Sequence, residues 1–221
     1  MAYSYKYPHP AVTVDVLVFT VDEETLKVLL IRRGQEPFKG QWAIPGGFIG
    51  IDESLKRAAW RELKEETGVH AALLQQLGAF GRPDRDPRER IITVAYYALV
   101  PGEKLKLRAG SDAADARLFA LADLPVLASD HGKILQRALE RLRQQLQDVA
   151  VPLQLLPAEF TMAQLQQVHE CILGRILDKR NFRKKMKSSG LFEVTGQQRR
   201  TGSHRPAALY RVTRSANVLL R

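Results

Sequence analysis

Short apolar runs with β character recur through the first half of the chain. They are rich in Val, Leu, Ile and Tyr, and Gly-, Pro- or charge-rich segments separate them. Strands are expected at 11–19, 26–32, 72–79, 91–100 and 116–119. An amphipathic helix interrupts this series after the second run. Strands interspersed with helices predict an α/β fold.

Helical periodicity dominates the segment that follows these strands. Apolar residues at helical spacing predict a helix at 133–146, and Pro152 and Pro157 indicate a linker after it. A capping box at 161–164 predicts the start of another helix, which Gly174 ends. His131 is interpreted as a capping or packing residue, since no second histidine lies at a metal-binding spacing.

The helix predicted between Ser54 and Gly68 carries carboxylates beside its apolar residues. Glu62 and Glu66 lie roughly 40° apart around the helix axis, and Glu65 lies roughly 60° to the other side of Glu62. Apolar residues share the sector of Glu62 and Glu66, so these carboxylates are expected to face inward. Unpaired inward charge is costly, and a hard divalent cation, Mg²⁺ or Mn²⁺, would compensate it.

The segment before this helix suits a phosphate-containing ligand. Pro45, Gly46 and Gly47 predict a tight turn where backbone can approach the ligand closely, and either Asp52 or Ser54 can cap the helix.

A loop rich in arginine and proline follows the third predicted strand. Arg82, Arg85 and Arg88, with Asp86 among them, can bind a diphosphate, because guanidinium groups pair bidentately with phosphate oxygens. The alternative is an ordinary polar surface loop. Phe38 and Trp42 can stack on a base, with a core or rim position as the equal alternative.

Basic charge is concentrated in the last third of the chain. Residues 151–221 contain 13 Lys and Arg against 4 Asp and Glu, a net of +9 out of +10 for all 221 residues. Such segregation indicates a unit that binds a polyanion. A helix at 178–187 has Phe182 and Met186 to anchor it, and two strands at 191–195 and 208–212 flank a basic tip.

This order of elements predicts a winged helix-turn-helix that binds duplex DNA. The alternative is a small basic domain that binds protein or has no partner. The residues expected to contact DNA are Lys179, Arg180, Asn181, Arg183, Lys184 and Lys187 in the basic helix and Arg199, Arg200, His204 and Arg205 in the wing.

Composition limits the cellular compartments in which the protein is expected. No apolar run approaches membrane-spanning length, and the N-terminal residues lack the apolar centre of a signal peptide. The single Cys171 excludes an intrachain disulfide and fits a reducing compartment. A cytoplasmic protein without membrane partners is expected.

The segment from Gly46 to Val69 resembles the signature of Nudix hydrolases at every position. The matching residues are Gly47, Glu53, Arg61, Glu62, Leu63, Glu65, Glu66, Gly68 and Val69. The resemblance implies an α/β/α sandwich, with Mg²⁺ held by Glu62, Glu65 and Glu66 and with Glu53, Arg61 and Glu62 serving catalysis. The arginine loop resembles that of Nudix proteins that handle ADP-ribose.

The whole chain resembles the Nudix-related transcriptional regulators of NAD metabolism, whose Nudix domain senses a ligand. The resemblance implies a Nudix domain at 1–150, a winged helix at 151–221, and a homodimer that binds operator DNA and ADP-ribose or a related nucleoside diphosphate sugar. Many members have a degraded signature, whereas this chain keeps every signature residue. A repressor and an ADP-ribose pyrophosphatase therefore both stay open.

Overall fold

The apolar runs near the N-terminus form one sheet of seven strands. In a computed structural model that describes residues 6–70, 73–105, 107, 113–147, 150–200 and 206–219, the strands follow in the order β3-β2-β1-β6-β5, with β4 paired to β1 and β7 to β2. The strands are β1 (Ala11–Asp22), β2 (Thr25–Arg33), β3 (Trp42–Ala43), β4 (Gly46–Phe48), β5 (Gln75–Phe80), β6 (Ile91–Leu99) and β7 (Ala113–Ala120).

Two of these strands supply much of the core because they are apolar on both faces. The central residues of β1, from Val14 to Phe19, are all buried, and those of β6 are buried from Thr93 onward. Continuous Val and Leu runs favour a strand that is covered on both sides. The predicted strand at 72–79 begins later, at Gln75; residue 72 lies outside the described residues.

The helices are α1 (Leu55–Thr67), α2 (His131–Gln144), α3 (Ala150–Leu153), α4 (Met162–Leu173), α5 (Lys179–Ser188) and α6 (Arg214–Leu219). Short 3₁₀ turns occur at Gly102–Lys104, Leu121–Asp123 and Gln145–Gln147. The apolar stripe predicted for α2 is buried, from Ile134 to Leu146. Within the described parts of the chain, no helix is both long enough and apolar enough to span a membrane.

Two expectations about local structure are wrong. Gly46 and Gly47 form the short strand β4, antiparallel to β1, where a tight turn was expected, because their backbone is paired with Val14 and Asp15. The segment around Pro152 is not a solvated linker. It contains α3, and Val151, Leu153, Leu155 and Leu156 are buried.

The backbone divides into two compact units. The first consists of residues 1–19, 28–98 and 106–138, and the second of residues 20–27, 99–105 and 139–221. In the second unit, α4 and α5 precede the hairpin of β8 (Phe192–Arg199) and β9 (Ala207–Val212). Its core includes Phe160, Leu165 and Ile172, and Phe160 extends the pairing at Tyr210. Helix, turn, helix and hairpin form a winged helix, as predicted.

Candidate functional site

A cavity of about 360 Å³ lies in the first unit. Eight of the residues predicted to hold a ligand or a metal line it: Phe38, Gly46, Gly47, Glu62, Glu66, Arg85, Asp86 and Arg88. Five others do not belong to its lining: Trp42, Glu53, Arg61, Glu65 and Arg82. The tertiary fold therefore brings the carboxylates of α1 and the arginine loop to one cavity.

Helix α1 is fixed at both ends in the way that its sequence predicts. The hydroxyl of Ser54 accepts a hydrogen bond from the Arg57 amide, and Gly68 ends the helix at φ 70° with its N–H bonded to the Lys64 carbonyl. The buried face of the helix contains Ala58, Ala59 and Leu63. These contacts fix the rotation of α1 about its axis.

That rotation separates the three glutamates of α1. Glu62 and Glu66 border the buried face and reach the cavity, whereas the side chain of Glu65 is 57% exposed. The inward position expected for Glu62 and Glu66 is observed, whereas Glu65, which the resemblance also implies as a metal residue, is outside the cavity lining. Glu65 lies on the solvent side because it points roughly 160° away from the buried Leu63 around the helix axis.

Arg61 connects the carboxylates of α1 to the loop before it. Its Nε donates to Glu53 Oε1 at 2.9 Å, its Nη1 to Glu62 Oε1 at 2.6 Å, and its Nη2 to the Phe48 carbonyl at 3.1 Å. A weaker contact of 3.2 Å reaches Glu65. Hydrogen bonds from Arg61, with one from the Gly50 amide, lower the pKa of Glu53 to about 2. Arg61 therefore holds Glu53 and Glu62 as oriented carboxylates.

Glu66 is the most shielded carboxylate of this group. Desolvation by burial raises the pKa of Glu66 to about 8, although its Oε2 accepts a hydrogen bond of 2.8 Å from the Gly46 amide. Burial also raises the pKa of Glu62. A Cβ at Gly47 would lie 2.5 Å from Glu62 Oε1, so only glycine permits this approach of strand and carboxylate.

These two carboxylates fit a divalent cation by charge and donor type. Desolvation without enough compensating positive charge raises their pKa, and a hard cation would supply that charge. Among the described residues no group of three or more His, Cys, Asp or Glu side chains forms a metal cluster. Two carboxylates match an open site of the kind Mg²⁺ uses, in which water and phosphate oxygens complete the shell.

A second charged group lies on another side of the cavity. Arg85 is buried and donates to Asp130 through Nη2 at 2.9 Å, and it lies 3.6 Å from Asp15 Oδ2. His131 is buried, and its Nδ1 accepts a hydrogen bond of 2.9 Å from the Ile44 amide. The packing role expected of His131 is thus observed, and Arg85 already has carboxylate partners.

The other arginines of the loop are paired on its surface. Arg88 lines the cavity, pairs with Asp86 at 3.0 Å, and lies over the Phe48 ring. Arg82 pairs instead with its neighbour Asp84. A ligand diphosphate could thus replace Asp86 as the partner of Arg88. A ligand contact of Arg82 stays a prediction.

The two aromatic candidates differ in position. Phe38 lines the cavity and packs on Ile31 and Ala43, whereas Trp42 packs edge-on against Phe119 at 4.6 Å. Phe38 therefore has the better placement for stacking on a base.

In the second unit, side chains of α4 hold the turn that leads into α5. Glu170 Oε1 accepts from the Leu177 amide at 2.8 Å, and Gln166 donates to the Leu177 carbonyl at 3.0 Å. Asp178 then caps α5 by accepting from the Asn181 amide. His169 packs against Phe182, with 4.9 Å between ring centroids. These contacts fix α5 on α4.

Helix α5 buries two side chains and exposes its cations. Phe182 and Met186 are buried, and every Lys and Arg of the helix is exposed, as is Asn181. Arg199 ends β8, Arg200 follows it, and both are exposed. His204 and Arg205 lie outside the described residues. The predicted DNA-contacting side chains that are described are thus free of the core.

Sequence reasoning missed several residues of the cavity lining, among them Asp15, Arg33 and Ser129. Asp15 could have been found, because a lone Asp interrupts the apolar run of β1. Arg33 ends β2, and Ser129 precedes α2. No local pattern marks these two.

Both halves of the chain match known families. The model of the NUDIX domain matches residues 9–139, and that of the NrtR DNA-binding winged helix domain matches residues 152–212. The chain belongs to the Nudix family. Its predicted architecture, a Nudix domain followed by a winged helix, is thereby confirmed.

Two curated relatives of this Nudix protein represent its two functional alternatives. It is 39% identical over 208 residues to the ADPR responsive transcriptional repressor NtrR of Acinetobacter baylyi, covering 93% of this chain and 83% of the relative. It is 45% identical over 130 residues to the ADP-ribose pyrophosphatase of Methanocaldococcus jannaschii, covering 59% and 73%.

Solved structures of NrtR from Shewanella oneidensis are also similar. The complex of that protein with a 27mer DNA has a TM-score of 0.81 at 36% identity and covers 94% of this chain and 95% of that one. Its Nudix domain complexed with ADP ribose has a TM-score of 0.59 at 37% identity, covering 63% and 94%. Divalent metal dependence is general among Nudix hydrolases.

Proposed function

We propose that this protein is an ADP-ribose-responsive, DNA-binding transcriptional repressor of genes for NAD synthesis or salvage. The observation that carries the proposal is the presence of a Nudix cavity and a winged helix with an exposed basic helix in one chain. The alignment with an ADPR-responsive repressor covers 93% of this chain and so includes both parts. Hydrolysis alone needs no basic winged helix.

In the Nudix domain, proposed as residues 1–150, ADP-ribose occupies the cavity. Arg88 binds the diphosphate, because it is the loop arginine that lines the cavity while remaining partly exposed. Phe38 stacks on the base. Glu62 and Glu66 hold a divalent cation, Mg²⁺ or Mn²⁺, beside the diphosphate.

In the winged helix, proposed as residues 151–221, α5 enters the major groove. Its buried Phe182 and Met186 face the core, so its cations face the phosphates and base edges. A single helix contacts few base pairs, and a homodimer on two half-sites about one turn of DNA apart, roughly 34–36 Å, supplies the specificity. The proposed role on DNA supports the predicted cytoplasmic location.

Ligand and operator are linked through the dimer. ADP-ribose shifts the protein between arrangements only by its differential affinity for them, so ADP-ribose and operator weaken each other's binding by one common factor. The test uses the full chain. Operator fragments are selected from genomic DNA, and DNA affinity is measured with and without ADP-ribose, then ligand affinity with and without DNA.

The expected result is the same weakening factor in the two titrations. AMP and ribose 5-phosphate, tested separately as ligands, should not reproduce it, because neither carries the diphosphate. DNA binding that ADP-ribose leaves unchanged would reject the sensor function while retaining the DNA-binding function.

The second candidate function is ADP-ribose hydrolysis to AMP and ribose 5-phosphate. The observation that favours it is the complete Nudix signature, with Glu62 and Glu66 both in the cavity and Arg61 orienting Glu53 and Glu62. A bound divalent cation would supply a Lewis acid for the diphosphate. Arg61 would orient Glu53 and Glu62, and Glu62, whose pKa burial raises, would orient water and accept its proton.

Release of AMP in the presence of Mg²⁺ or Mn²⁺ tests this candidate directly. A cytidine or guanosine diphosphate sugar, which would release CMP or GMP, serves as the comparison substrate. Activity that persists in excess chelator would exclude the proposed metal carboxylates from the reaction.

A further inference from the structure

Asp15 is a buried carboxylate in the Nudix cavity whose neighbours leave it incompletely paired. It lies in the middle of β1, between the buried Val14 and Val16, and the residue is 6% exposed. Among the residues that the structure describes, its Oδ2 has no hydrogen-bond partner. Its carboxylate lies 3.6 Å from Arg85 and 3.9 Å from His131, and both distances are longer than a hydrogen bond.

Neither neighbour donates a hydrogen bond to Asp15. Arg85 makes its hydrogen bonds to Asp130, with Nε and Nη2 both directed at that carboxylate, so one guanidinium serves two anions. His131 accepts the Ile44 amide at Nδ1, which fixes the neutral tautomer with its proton on Nε2. Burial lowers the pKa of His131, so it adds no positive charge.

A buried carboxylate in this condition requires a donor from outside the protein. Leaving such an acceptor without a partner costs free energy, and the cavity that Asp15 lines is where a donor can enter. The diphosphate oxygens of a ligand are ionised acceptors and have no proton to donate to a carboxylate. The donor is therefore an uncharged group such as a hydroxyl.

The position of Asp15 indicates which part of a nucleoside diphosphate sugar supplies that hydroxyl. Asp15 is paired in register with Gly46, whose amide donates to Glu66, the proposed metal carboxylate. A group beside the metal carboxylates is one bonded directly to the diphosphate. In ADP-ribose both such groups are riboses.

We propose that Asp15 accepts a hydrogen bond from a ribose hydroxyl of the bound nucleoside diphosphate sugar and so selects ligands with a free hydroxyl at this point. This inference rests on the proposed binding of ADP-ribose in the Nudix cavity. It makes Asp15 a specificity-determining residue that rejects a ligand carrying a further phosphate there.

The experiment is a cycle that removes the carboxylate from the protein and the hydroxyl from the ligand. Calorimetry measures the affinities of wild type, Asp15→Asn and Asp15→Ala for ADP-ribose and for two deoxy analogues, one lacking a hydroxyl on the adenosine ribose and one on the terminal ribose. Chelator in the buffer prevents hydrolysis and excludes metal. Asp123→Asn, an exposed acidic residue outside the cavity lining, is the matched control.

A hydrogen bond to a charged group predicts that Asp15→Ala weakens ADP-ribose binding by about tenfold to a hundredfold. One deoxy analogue should bind wild type equally weakly and show no further loss in Asp15→Ala, which identifies the ribose. Asp123→Asn should bind like wild type. If the Asp15 variants fail to fold, the wild-type preference for ADP-ribose over that analogue still decides the matter.

Each of three possible outcomes would overturn a particular claim. Wild type that does not bind ADP-ribose would reject the proposed function itself. Wild type that binds ADP-ribose and both deoxy analogues equally would reject the role of Asp15 alone. Additive losses from Asp15→Ala and from each deoxy analogue would mean that the carboxylate and the hydroxyls act independently, which would overturn the ribose contact.

Discussion

Replacing Arg180 and Lys184 with alanine tests the basic face of α5 most directly. The two residues are one helical turn apart, both are exposed, and on a helical projection they point away from the buried Phe182 and Met186. Alanine preserves the helix, so the folded structure should be kept. The substitution removes two cations from each protomer while leaving the cap at Asp178 intact.

The expected size of the effect on DNA affinity follows from the salt dependence of DNA binding. Each phosphate contact contributes about 0.9 to the slope of log affinity against log salt concentration. Two contacts on each protomer of a dimer therefore predict a slope that is shallower by about 3.6. Over a fourfold increase in salt, the variant should lose about two decades less affinity than wild type.

Fluorescence anisotropy with a labelled operator fragment over this salt range measures both slopes. The control is Arg57→Ala with Lys64→Ala, two exposed cations on α1, which changes the net charge by the same amount. Parallel slopes for wild type and the α5 variant would mean that these side chains do not contact phosphate. A slope change shared by the control would mean that only net charge matters, and either result would refute the assignment of α5 to the groove.

Three further predictions concern single residues. Glu66→Gln should reduce metal-dependent AMP release by more than about a hundredfold while DNA affinity stays unchanged, because the amide keeps the shape and loses the charge; equal turnover would remove Glu66 from metal binding. Gly47→Ala should leave the thermal midpoint nearly unchanged but lower AMP release by about a hundredfold, because the added Cβ would lie 2.5 Å from the mobile end of Glu62. Unimpaired AMP release would show that the close contact between strand β4 and Glu62 is dispensable. Burial lowers the pKa of His169 in the folded state below 6.5, so the unfolded state binds more protons and stability is lost as pH falls below that value. His169→Leu should flatten the dependence of the thermal midpoint between about pH 7.5 and pH 5.5, and an unchanged pH dependence would contradict this account.

The helix termini of the chain could be predicted locally because their determinants are local. Ser54 and Gly68 bound α1, and the capping box at Thr161 starts α4, since each satisfies backbone groups within one turn of itself. The prediction for β4 failed for a related reason. Gly46 and Gly47 are paired with β1, a partner distant in sequence, so their local pattern of Pro and Gly indicated a turn.

The charge pattern of the second unit was equally visible from the sequence. A basic helix with two anchors at i and i+4 exposes its cations whatever surrounds it, because only Phe182 and Met186 can be buried. The residues that hold that helix in place could not be identified from the sequence. Glu170 and His169 act through contacts with the turn and with Phe182, which depend on how α4 and α5 cross.

The sequence by itself determined the family, the carboxylate helix, the basic winged helix and eight of the residues that line the cavity, because these depend on residue type and short-range spacing. Only the tertiary structure decided that Glu65 faces solvent and that Arg85 is already paired with Asp130. It alone brought Asp15 and His131 together, from a strand and a helix more than a hundred residues apart. Burial and pairing are properties of the packed chain, and they determine which of several charged residues still needs a ligand.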